Sequence, residues 1–133
     1  MTQQDYHNLK GKTMATTKTT TVIFDDLAVV SGGTPDEQVD LSAGYGAILY
    51  LKVTNGATAP TTPFEVDVYI SPDQANWFTF SSLTGSLNNN GETESYLEVP
   101  STVKFIRASG YNSSSGTPQT ITIYGAVDNI TGV

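Results

Sequence analysis

Any reaction run by this chain would have to use carboxylates. It has thirteen Asp and Glu, one histidine and no cysteine, which removes cysteine nucleophiles, thiolate zinc sites and disulfides together. Carboxylate pairs of the kind that hydrolyse glycosidic bonds occur at Asp25 and Asp26, Glu65 and Asp67, and Glu92 and Glu94. Glu65 and Asp67 would share one face of a strand, about 7 Å apart. Alternating acids more simply solvate an outer face and discourage edge pairing. The one histidine, His7, falls in an N-terminal segment outside the predicted domain, so it offers no base to a serine triad. DNITG and SPDQAN each supply at most two oxygen ligands, short of what calcium needs. No glycine-rich phosphate loop joins a strand to a helix. The expectation is a protein that is not an enzyme and carries no cofactor or metal.

Charge narrows the partners. Only 14% of the residues are charged, and the net charge is −7, against a usual charged fraction of about a quarter. An acidic surface repels phosphate backbones, and Lys52, Lys104 and Arg107 are too dispersed to form a track for them. Nucleic acid is therefore not an expected partner. The opening MTQQDYHNLKGKTMATTKTTT has no apolar run, so neither a signal peptide nor a membrane span is expected. Without a secretory signal, the glycosylation patterns at Asn112 and Asn129 read as chance matches.

The elements that must position these groups are strands. Residues 1–17 stand apart as an extended arm, with Lys10 and Lys12 against Asp5 and almost nothing apolar to order it. Met14 is an alternative start. Residues 18–133 form the domain. TTTVIFDDLAVV is rich in β-branched residues and EQVDL follows a turn. GAILYLKVT alternates, with Ala47, Leu49, Leu51 and Val53 on one face and Ile48, Tyr50 and Lys52 on the other. FEVDVYI alternates more cleanly still, Phe64, Val66, Val68 and Ile70 opposing Glu65, Asp67 and Tyr69, as a half-buried antiparallel strand requires. WFTF, SYLEV, TVKFIRASGY and TITIYGAV complete the set, with SSLTGSLNNNGET read as a long polar connection. About eight strands with turn signals every eight to twelve residues predict an all-β antiparallel sandwich or jelly roll.

The stretch SPDQANW joins two of these strands. Pro72 presets φ for a first turn position, Asp73 can accept backbone N–H bonds, and Asn76 tolerates a left-handed conformation. Trp77, the one tryptophan, and Phe78 should point to opposite faces, one ring entering the core. Tyr69, Ser71, Asp73 and Trp77 make this hairpin resemble the SxDGxxW hairpin of discoidin-type galactose-binding jelly rolls, with Gln74 or Ala75 where those have glycine. From Tyr45 to Val127 the chain also resembles small β-sandwich structural proteins of tailed bacteriophages, of the head decoration type, in length, in its Thr/Ser/Gly/Asn-rich loops and in its closing TITIYGAV strand.

That second resemblance implies a virion protein, made in the host cytoplasm, that decorates and cements the capsid surface as a homo-oligomer. Its partner would be the major capsid protein or another virion subunit. The arm residues Tyr6, His7, Leu9, Lys10 and Lys12 would make the capsid contact. A carbohydrate-binding or adhesin module is the alternative, with Tyr69, Trp77 or Tyr111 as the ring that stacks on a glycan. A tail or connector component is a third.

Overall fold

A computed structural model describes residues 17–112 and 121–132. The arm residues Tyr6, His7, Leu9, Lys10 and Lys12 lie outside the described residues. Eight strands run in chain order as β1 (Thr17–Val29), β2 (Asp36–Asp40), β3 (Ala47–Asn55), β4 (Glu65–Ser71), β5 (Phe78–Thr84), β6 (Glu92–Val99), β7 (Phe105–Tyr111) and β8 (Ile121–Gly132). They form two antiparallel four-stranded sheets, ordered β1-β8-β3-β6 and β2-β7-β4-β5. This order resolves the choice left open by the strand count. Successive strands lie in opposite sheets except β4 and β5, which pair as a hairpin within one sheet, so the sandwich is a jelly roll.

The core lies between the sheets and follows from the period-2 pattern. Leu49, Leu51 and Val53 of β3 and Ile121, Ile123 and Val127 of β8 meet Val66 and Val68 of β4 and Ile106 of β7, all at most 2% exposed. Fully buried Phe64 sits beside Gly110, where a Cβ would come within 2.6 Å of the ring. Glycine at 110 thus makes room for the largest of the fully buried side chains. The polar connection between β5 and β6 is shorter than the sequence pattern implies. Ser81–Thr84 continue β5, and Glu92 and Thr93 already belong to β6. β5 is an edge strand, and of its side chains Phe80 and Leu83 pack against the core while the others are polar or exposed.

The remaining loop is clamped from within. Asn55 is 3% exposed, and its Nδ2 donates to the carbonyls of Ser86 and Asn88 at 2.7 and 2.9 Å. Asn112 is fully buried at the end of β7, with its Nδ2 donating to the Val29 carbonyl. Its side chain is thus structural, and an N-linked glycan at this position would have no access in the fold.

Candidate functional site

The β4–β5 hairpin is built by its serine and aspartate. The buried Ser71 hydroxyl accepts the Gln74 N–H at 2.8 Å. Asp73 Oδ1 accepts the N–H groups of Asn76 and Ala75 at 2.7 and 2.9 Å, and Oδ2 accepts the Asn76 side-chain amide at 2.6 Å. The backbone donor of Asn76, then that of Ala75, holds this carboxyl well below the usual carboxylate range. The left-handed residue is Gln74 (φ 65°) and not Asn76. The loop therefore places its strained position where the galactose-binding hairpins carry glycine, and Gln74 spans to Gln38 by a 3.0 Å side-chain bond.

Neither ring of the Trp77–Phe78 pair enters the core as expected. β5 starts only at Phe78, so Trp77 is still a loop residue, and its half-buried ring folds back over the outer face of the second sheet. There the Arg107 guanidinium lies 5.0 Å from the Tyr69 ring and 5.1 Å from the Trp77 ring, within cation–π reach of both. Asp36 stands 3.3 Å from Arg107 Nε, an electrostatic contact without hydrogen-bond alignment, since that Nε has no hydrogen-bond partner. Phe78 pairs with Ile70 across a bulge in the β4–β5 ladder. That puts it on the core side but at the open end of the sandwich, 59% exposed. With Ile70, Pro72 and Val103 it lines an apolar notch of about 200 Å³.

The three aromatic residues singled out from the sequence do not converge. Tyr69 and Trp77 share one cation, and each directs a ring face to Arg107. Tyr111 is 54% exposed at the other end of β7, beside Thr62, Pro63 and Glu65. The paired acids are spread over different strands, and among the described residues no group of three or more acids or histidines could hold a metal ion.

A second surface was not singled out by motif. On the outer face of the β1-β8-β3-β6 sheet, Tyr50 faces Tyr96 across the β3–β6 ladder, and Lys52 faces Glu94. On its other side Lys52 faces Tyr124, and Tyr50 faces Ala126. The small Ala126 side chain leaves the middle of the face low, while Tyr50 and Tyr96 stand up from it at 38% and 69% exposure. The result is an open groove of about 860 Å³, lined by tyrosines around Ala126 and closed toward the β1 edge by Asp128, which accepts the Thr20 hydroxyl. The one sequence signal was the placement of Tyr50 and Lys52 on the outward face of their strand.

Among protein-family models and among curated proteins the sequence has no match. Solved structures share the fold. The chain is similar to VP2 of infectious bursal disease virus, both in a subviral particle (TM-score 0.53, 13% identity, 86% of this chain) and in derived T=1 particles (TM-score 0.54, 13% identity, 87% of this chain). It spans about a third of the length of those VP2 chains, 33% and 32%. It is also similar to a family 29 carbohydrate-binding module, with TM-score 0.50, 17% identity and 87% of both chains covered. These likenesses are of fold.

Proposed function

We propose that the protein is a non-enzymatic structural component of a tailed-phage virion that decorates the outer capsid surface and cements the shell. The observation that carries this reading is the jelly-roll strand order β1-β8-β3-β6 over β2-β7-β4-β5, an architecture that viral capsid proteins use and that VP2 shares over most of this chain. The tailed-phage assignment rests on the sequence resemblance. The apolar notch at Phe78 supplies a surface that gains by being covered, because an exposed phenylalanine set among Ile70, Pro72 and Val103 is better buried against a partner than solvated. The N-terminal arm, through Tyr6, His7, Leu9, Lys10 and Lys12, adds a second contact of opposite charge to the acidic body.

Cementing follows from linkage. A protein that binds the closed shell and not its separated subunits stabilises the closed state at each site by RT ln(1 + c/Kd), where c is its free concentration, and this keeps rising with the logarithm of c above Kd. Anchoring through both a body and an arm raises the effective concentration of the second contact once the first has formed. The test is sedimentation of undecorated phage capsids with the full chain, with a form starting at Met14, and with Phe78→Ser. Saturable co-sedimentation that both changes weaken is expected. Failure of the full chain to sediment with capsids of its source phage would refute the reading.

A further inference from the structure

We propose that the tyrosine groove on the outer face of the β1-β8-β3-β6 sheet is a binding site for a neutral oligosaccharide. This goes beyond the decoration reading and does not depend on it.

Register supplies the first argument. Tyr124, Tyr50 and Tyr96 come from the adjacent strands β8, β3 and β6, with Tyr50 directly opposite Tyr96 and one step diagonal to Tyr124. Strand spacing and rise make this a band of rings about 12 Å long, the scale of a short oligosaccharide. A sheet face that only had to meet water would be served by threonine and lysine. Here Tyr124 and Tyr50 stand on the inner strands β8 and β3, and Tyr96, on the edge strand β6, is 69% exposed.

The choice of ligand follows from what lies between the rings. Lys52 sits between Tyr124 and Glu94 in one cross-strand row, on the inner strand β3 and next to the row that pairs Tyr50 with Tyr96. Among the described residues, the one ion pair within 4 Å is that of Arg107 with Asp36, so Lys52 and Glu94 face each other without closing on one another. A protein partner covering this face would have to desolvate both charges inside its interface, where unpaired charge is costly. A pyranose meets the same lining without that cost. Its C–H face lies on a tyrosine ring, and its hydroxyls, each both donor and acceptor, bridge Lys52, Glu94 and Asp128.

Charge then selects among glycans. Glu92, Glu94 and Glu98 stand exposed along β6, and Asp128 closes the far side, while Lys52 is the cation in the groove lining. The field over the groove is negative, which disfavours uronic, sialylated and sulfated chains as it does phosphodiesters. Neutral sugars remain.

The experiment is affinity electrophoresis of the full chain through native gels cast with soluble neutral polysaccharides (galactomannan, xyloglucan, mixed-linkage β-glucan, dextran), with alginate as the anionic probe. Variants are Tyr96→Ala, Tyr50→Ala and, outside the groove, Tyr111→Ala. Tyr96 is exposed, so its truncation leaves the fold intact. At least one neutral polysaccharide should retard the wild type. Tyr96→Ala and Tyr50→Ala should each weaken that binding about tenfold, the loss of one stacked ring, and Tyr111→Ala should leave it unchanged. The proposal is overturned if no neutral polysaccharide retards the protein, if alginate alone does, or if Tyr111→Ala abolishes binding that the groove variants keep. Capsid binding lost in Tyr96→Ala, with no retardation by any polysaccharide, would make the face a protein contact and overturn it as well, leaving the decoration reading standing.

Discussion

Replacing Arg107 by alanine removes a cation held between two rings, and the structure allows the cost to be worked out. Its side chain is 26% exposed, so each cation–π contact falls between the exposed and desolvated limits, about 0.7–1 kcal/mol apiece. The Asp36 partner is 47% exposed and lies at 3.3 Å, and a pair so open to solvent adds at most about 0.5 kcal/mol. The loss should be about 2 kcal/mol, a large share of a stability of roughly 5–15 kcal/mol. Urea unfolding followed by tryptophan emission is a direct assay, because Trp77 is the one tryptophan and is itself half of the stack. The midpoint should fall by about 1 M, and the folded-state emission should shift to the red as the indole loses its cover. Arg107→Lys should recover less than half of the loss, since ammonium keeps the charge but not the planar face that lies between the rings. A midpoint within about 0.3 M of wild type, with unchanged emission, would refute the reasoning by showing that the stack contributes nothing measurable.

Two further outcomes concern the hairpin loop. Gln74→Gly should raise stability by about 1 kcal/mol by relieving the left-handed backbone, measured by the same urea titration; a loss would mean that the Gln38 bond outweighs the strain. Asp73 has a folded-state pKa below its unfolded one, so its contribution is fully present above the ordinary carboxylate range and is lost as pH falls through the depressed value. The stability gap between wild type and Asp73→Asn should therefore be the same at pH 7 and pH 5 and should narrow in strong acid. A gap that widens on acidification would contradict the assigned hydrogen bonds.

What the residues disclosed on their own depended on whether one strand was enough to show it. β3 and β4 were legible because alternation is written along a single strand, and Phe64, Val66 and Val68 are buried where the pattern puts them. The backbone hydrogen bonds of Asp73 were legible for the same reason. β5 was read too short because Ser81 to Thr84 lie at a sheet edge, where polar residues suffice. That neither ring of the Trp77–Phe78 pair enters the core was not legible, because Arg107, which meets the Trp77 ring, lies on a strand that joins it only in the folded sheet. The tyrosine groove was invisible for that reason in stronger form. Tyr50, Tyr96 and Tyr124 belong to three strands whose neighbourhood is set by the jelly-roll order, and no spacing along the chain announces it.

The long ladder between β1 and β8 has a mechanical consequence. Thr17 lies opposite Gly132, and the pairing runs from there to Val29 opposite Ile121. Both ends of the described fold therefore leave from one corner, on neighbouring antiparallel strands. A tension applied through these ends would load the ladder one rung at a time and peel it open like a zipper. It would not shear all the rungs together. If the protein is tethered at both ends it should yield at low force. Anchored by its body, it would be spared that weak direction.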